Sequence, residues 1–267
     1  MVMWFSRCHP ILQALMASLF TYGVTALGAG MVFFVKSANR KVMDVMLGFA
    51  AGVMVAASFW SLLSPAIAIA EELDMIVPVI ISTGFFLGGV LIIAADKILS
   101  KYGFAESKDS NSPGKGSLLL TIAVTLHNIP EGLAVGVAFG SIASGVENAT
   151  LIGAVFLSIG IGLQNFPEGA CVSLPLRAEG VTRRKSFFYG QASGMVEPIA
   201  AVIGAALAML VKTLLPFLLS FSAGAMIAVV ASELIPESAR KNKNLGTIGV
   251  TVGFILMMVL DTCLSLK

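Results

Sequence analysis

The sequence predicts an all-α membrane protein of eight transmembrane helices, and three observations predict it. Hydrophobic residues make up 57% of the chain and charged residues 12%, with mean hydropathy +0.93; soluble proteins carry about 25% charged residues. The apolar residues fall in runs of the ~20 residues that a helix needs to cross hydrocarbon. The cations gather in the intervals between those runs, where membrane topology is written.

Taken in order, the runs lie near 12–35, 43–68, 76–98, 118–140, 150–174, 187–211, 216–236 and 246–266, and residues 1–267 read as a single transmembrane domain. The first run has no recognisable cleavage site behind it and reads as a span, not a signal peptide. It closes at Lys36, Arg40 and Lys41. The second ends at the acidic group Glu71, Glu72 and Asp74. The third ends on Asp96, Lys97 and Lys101. A polar stretch over 101–116 follows, including Lys108 and Lys115, and is expected to be a mobile cytoplasmic linker. Glu147 lies between the fourth and fifth runs. Arg177, Arg183, Arg184 and Lys185 separate the fifth from the sixth, Lys212 precedes the seventh, and Arg240, Lys241 and Lys243 follow it. The side that alternation gives to Arg7, Lys212 and Lys267 is poor in cations. The cation-rich side is therefore cytoplasmic, the span count is even and both termini are extracytoplasmic.

Composition also excludes function classes. A formal charge of +2 gives nucleic acid nothing to hold; the partners expected are the lipid bilayer and small cations. Cys8, Cys171 and Cys263 are scattered and odd in number. They form neither a disulfide framework nor a CxxC zinc site, and each reads as a small apolar packing residue.

Two stretches inside apolar runs carry the chemistry. The fourth run holds His127-Asn128-Ile129-Pro130-Glu131-Gly132 and the fifth holds Gln164-Asn165-Phe166-Pro167-Glu168-Gly169. Ionisable side chains at membrane depth are costly and mark function. His127 and Glu131 are i and i+4 on one helical face, as are Gln164 and Glu168; Asn128 and Asn165 sit on the adjoining strip. Facing one another, the two helices would hold two adjacent divalent cations bridged by Glu131 and Glu168. No Lys or Arg falls in the middle of any span to serve as an alternative partner. Successive spans run in opposite directions, so the paired motifs read as an inverted repeat around a midplane site, with the helices kinked at Pro130 and Pro167.

Further candidates surround the pair. Glu197, followed by Pro198, lies mid-span in the sixth run. Met54 lies mid-span in the second and reads alone as a packing residue; beside this motif it is a soft ligand suited to Zn or Cd over Ca or Mg. Glu233 and Asp261 are candidate pathway acids in the seventh and eighth runs. Glu237 and Asp96 read as solvated helix ends, and Glu71, Glu72 and Asp74 as a cation-gathering outer mouth.

The two motifs resemble the fourth- and fifth-span signatures of the ZIP (Zrt/Irt-like protein) family of divalent metal transporters, in a form similar to its bacterial GufA-like branch. The resemblance extends over essentially the whole chain. It implies a 3+2+3 arrangement of helices and a binuclear site, with His127, Glu131, Gln164, Glu168, Glu197 and Met54 as the primary set and Asn128 and Asn165 completing a secondary one. It implies import of a divalent transition metal, zinc first and Cd, Fe or Mn as further candidates, across the plasma (bacterial inner) membrane by an elevator-like motion. Two departures stand out. Ser232 precedes Glu233 where many members have His, and Asn165 stands where some relatives carry Asp, which weakens a second cation site. The metal is cargo, no resident cofactor is called for, and a homodimer is the assembly kept open. A selective channel with the same ligands, a proton-coupled carrier of an organic solute and a membrane metalloenzyme are the alternatives. The HExxH pattern is absent and no Ser or Cys sits beside a base, so an enzyme is not expected.

Overall fold

The computed structural model describes residues 2–34, 39–101, 115–145 and 149–265; for 2, 3, 96, 99, 100, 115–120, 123 and 263–265 the backbone alone is described. The linker expected over 101–116 falls almost wholly outside these residues, as do Lys36, Glu147, Lys267 and the side chains of Asp96, Lys115 and Cys263.

After a short turn at Val2–Phe5, eight long helices follow. They are α1 (Pro10–Phe34), α2 (Arg40–Glu72), α3 (Val77–Lys101), α4 (Lys115–Ala143), α5 (Leu151–Ala178), α6 (Arg183–Leu210), α7 (Lys212–Ala239) and α8 (Lys243–Ser265). Seven of them, all but the motif-bearing α4, are long and apolar enough over their described residues to cross a membrane. Two of them start about a turn ahead of their apolar runs at polar caps: the Asn39 side chain accepts from Lys41 N at 3.1 Å and Thr182 from Lys185 N at 3.4 Å. Thr150 caps α5 at the start of its run, accepting from Gly153 N at 3.0 Å.

The most extensive pairings are α1 with α5, α4 with α6, α2 with α8 and α3 with α7. Exchanging α1–α3 for α6–α8, and α4 for α5, maps this pattern onto itself. The closest approaches are made at glycine. A Cβ on Gly132 of α4 would run into the backbone carbonyl of Glu197 on α6, and one on Gly169 of α5 into that of Thr25 on α1. The face that α1 turns inward is a stripe of small and hydroxyl residues at helical spacing: Ala14, Ser18, Thr21, Thr25, Gly28 and Val32.

The sequence predicts kinks at Pro130 and Pro167; α4 and α5 run on as helix through both prolines. The interruptions fall in other helices. α6 breaks at Met195, three residues before Pro198. α2 widens to a π-helix over Ser58–Leu63 and α7 over Val230–Leu234. Each ends in an i to i−5 bond, from Ser64 N to Phe59 O and from Ile235 N to Val230 O, with a proline immediately after at 65 and 236. A wider turn moves the carbonyl four residues back away from the proline ring. The two helices share more than this defect. Phe49–Ala56 and Phe221–Ala228 both read Phe-x-Ala-Gly-x-Met-x-Ala, placed two to nine residues ahead of Ser58 and of Val230 alike. The core about them is built from small residues, with Met54 and Met226 each 1% exposed.

Candidate metal site

The helical spacing of the two motifs puts their polar residues on the inner faces of α4 and α5, and α6 closes the group. His127, Asn128, Glu131, Gln164, Asn165, Glu168 and Glu197 are all buried, none above 6% exposure. These are the residue types that avoid burial most strongly unless they have partners.

The partners are few and specific. Gln164 Nε2 donates to Glu131 Oε1 at 2.6 Å, joining the two motifs across the α4–α5 contact. Asn128 Nδ2 donates to the Ser193 carbonyl at 2.8 Å. Asn165 Nδ2 donates to both carboxylate oxygens of Glu197, at 2.8 and 2.9 Å. Thr21 Oγ1 also donates to Glu197 Oε2, and Thr25 Oγ1 to Oε1 at 3.4 Å. His127 Nε2 lies 3.5 Å from Glu233 Oε1, which the π-turn of α7 brings alongside α4.

What is left over is more telling. Asn128 Oδ1, Glu131 Oε2, Gln164 Oε1, Asn165 Oδ1 and Glu168 Oε2 are buried acceptors with no hydrogen-bond donor. An unsatisfied buried polar group costs about 1–3 kcal/mol, more when charged. Five such oxygens on two short motifs mark a place short of positive charge. Glu131 sits within electrostatic reach of both Glu168 and Glu197, and no Arg or Lys ion pair reaches any of the three among the described residues. Carboxylate, amide and imidazole together suit a divalent transition metal. No three His, Cys, Asp or Glu side chains close into a metal cage among the described residues. The donor set is instead mixed, because amides supply three of the five open oxygens.

The other candidates sort by position. Met54 is buried at the middle of α2, and its carbonyl accepts Ser58 Oγ at 2.7 Å. Glu233 stands at the edge of the cluster through His127. Asp261 is drawn elsewhere: its Oδ1 accepts Ser61 Oγ at 2.7 Å, tying α8 to α2. Glu237 is not simply a solvated helix end. Its Oε1 pairs with Arg40 Nη1 at 2.6 Å, and Arg40 Nε pairs with the fully buried Asp44 at 2.8 Å. Glu72, from the acidic group, pairs with Lys212 at 2.8 Å.

Sequence reasoning missed Thr21, Thr25 and Asp44. The signal for the threonines was present as a hydroxyl stripe with Ser18 at i, i+3 and i+7 in an otherwise apolar run. The signal for Asp44 was its i, i+4 relation to Arg40.

Comparison with known proteins agrees with this geometry. The family model described as ZIP zinc transporter matches residues 105–261. The chain is similar to zinc transporter ZIP11 of Xenopus tropicalis, 39% identical over an alignment 333 positions long, gaps included, that covers 96% of this chain and 98% of the relative. It is similar to zinc transporter GufA of Myxococcus xanthus, 34% identical with 94% and 98% covered, and to zinc transporter ZIPB of Bordetella bronchiseptica, 33% identical with 91% and 79% covered. This multi-pass membrane protein belongs to the ZIP zinc transporter family.

Proposed function

We propose that the protein carries Zn²⁺, or a closely similar divalent transition metal, across the plasma membrane into the cytoplasm through the midplane site between α4 and α5. The observation that carries this reading is the set of five buried oxygens without donors, gathered on the two motifs. A cation stripped of water needs such a set, and nothing else in the surroundings compensates it. The names of the relatives, all zinc transporters, point to the same cargo. His127, Asn128, Glu131, Gln164 and Glu168 are the ligands we assign first, with Met54 as a soft neighbour; Asn165 and Glu197 are bonded to each other.

An orientation with the Arg40 and Arg240 end cytoplasmic and the termini external is supported by the distribution of Lys and Arg; inward transport is the direction that the family resemblance implies. A 3+2+3 inverted repeat is supported by the self-mapping pattern of helix pairs and by the shared Phe-x-Ala-Gly-x-Met-x-Ala stretch. An alternating-access, elevator-like movement is supported by how the polar bonds are distributed. Tyr22 to Gln191, Asn128 to Ser193, Gln164 to Glu131, Asn165 to Glu197 and Ser144 to the Ala208 carbonyl all join members of α1, α4, α5 and α6. Arg40 to Glu237, Lys212 to Glu72 and Ser61 to Asp261 join members of α2, α7 and α8. His127 to Glu233 crosses between the groups and is a contact that a departing ion would exchange for its own.

The test is uptake of radioactive zinc by proteoliposomes. The Glu131→Ala/Glu168→Ala double variant, confirmed folded by gel filtration, is expected to take up none above empty vesicles. Unchanged uptake would overturn the site.

A further inference from the structure

We propose that Asn165, backed by Thr21 and Thr25, fills the chelating fork of Glu197, so that this chain's transport site takes one divalent cation at a time and not two. The proposal rests on the transport-site reading above.

The geometry is that of an occupied fork. Asn165 Nδ2 stands 2.8 Å from one Glu197 oxygen and 2.9 Å from the other. A group equidistant from both oxygens sits where a cation bound in bidentate fashion would sit, at 2.0–2.6 Å for metals of this kind. The direction of the amide is not arbitrary. Nδ2 also faces the Thr21 carbonyl at 3.3 Å, so its three neighbours are all acceptors and only the N–H end can meet them. The hydroxyls of Thr21 and Thr25 add one donor to each carboxylate oxygen. Glu197, fully buried, is therefore compensated by neutral donors throughout. Glu131 and Glu168 are not, since each keeps an oxygen without a donor.

Charge counting leads to the same place. Two open carboxylates, Glu131 and Glu168, balance one divalent cation. Two divalent cations would need four negative charges, and with Asn165 the carboxylates inside the cluster number three, Glu131, Glu168 and Glu197, while Glu233 stands at its edge against His127. An aspartate at 165 would supply the fourth and would also withdraw the N–H groups from the fork. Asn165 is thus the specificity-determining residue for ion number, and Thr21 and Thr25 are positioning residues that act through Glu197. Their hydroxyls come from α1, outside both motifs.

The experiment counts ions bound by the full chain in lipid nanodiscs, by equilibrium dialysis against radioactive zinc. The unsubstituted chain is expected to bind one zinc. Asn165→Asp is expected to bind two. Glu197→Gln, which removes the charge and turns one acceptor of the fork into an amide donor, is expected still to bind one. Two zinc ions on the unsubstituted chain overturn the proposal, as does loss of the single ion in a folded Glu197→Gln chain or one ion only in a folded Asn165→Asp chain. Should Asn165→Asp fail to fold, the other two measurements decide alone. No zinc on the unsubstituted chain would overturn the transport-site reading as well, which separates that failure from this one.

Discussion

At the proposed site, Glu131 and Glu168 each offer an oxygen that no donor among the described residues satisfies. Replacing either by Gln leaves the shape and removes the charge. We expect zinc uptake at sub-saturating metal to fall by at least ~10-fold for each, a loss in the range seen even for groups that only support metal ligands, while gel-filtration profiles stay unchanged. At the proposed site, protons and metal compete for the same ligand lone pairs. Acid fills those lone pairs, so initial uptake rates should fall as external pH drops from 7.5 to 5.5 and should recover on return; a rate that rises in acid would contradict the ligand set. The Arg40 cluster makes a separate prediction about stability. Asp44 is fully buried with Arg40 as its ion-pair partner. Arg40→Met should therefore cost ~3 kcal/mol, the low end for stranding a buried charge because Arg40 is itself a third exposed, and Arg40→Met/Asp44→Asn should recover most of the loss in a thermal-unfolding assay. The motif residues were legible because they are costly in lipid and occur twice. Thr21 and Thr25 were not, because a hydroxyl in such a helix ordinarily bonds its own backbone and so carries no sign of a distant partner. The Arg40–Glu237 pair was not legible because its partners lie 197 residues apart.

At the level of helices, the eight spans were readable from apolar run length, and their order in the structure is the order of the runs. Their interruptions fall at other residues than the two motif prolines. Proline is a reliable sign of a lost N–H and a poor sign of where the helix yields. In α4 and α5 the surrounding packing keeps the helix continuous past Pro130 and Pro167. In α2 and α7 the extra residue of a π-turn absorbs the ring just before Pro65 and Pro236, and in α7 it carries Glu233 to His127. Close packing makes a further test. Gly132→Ala drives a methyl into the Glu197 backbone carbonyl and should cost about 1–3 kcal/mol. Gly23→Ala, in α1, meets no atom within 4 Å and should be neutral or stabilising by up to ~1 kcal/mol. Melting temperatures measured side by side in one detergent check the contrast.

For the molecule as a whole, the division into two groups of helices predicts opposite effects for two cross-links. Tyr22 and Gln191 are bonded across α1 and α6 within one group. A Tyr22→Cys/Gln191→Cys pair should oxidise and leave uptake largely intact. Met257 of α8 lies against Gly160 of α5, across the groups. A Gly160→Cys/Met257→Cys pair should stop uptake when oxidised and release it when reduced. The ion pairs at the two ends of the bundle bear on the same question. Arg40 joins α2 to α7 at one end through Glu237, and Glu72 joins them at the other through Lys212. A pair of posts bolted at head and foot cannot shear along its length by a helical turn without tearing four charged groups apart at once. On the proposed elevator-like reading, such a pair belongs to a stationary rail, and the carriage beside it, cargo aboard, is the group of α1, α4, α5 and α6.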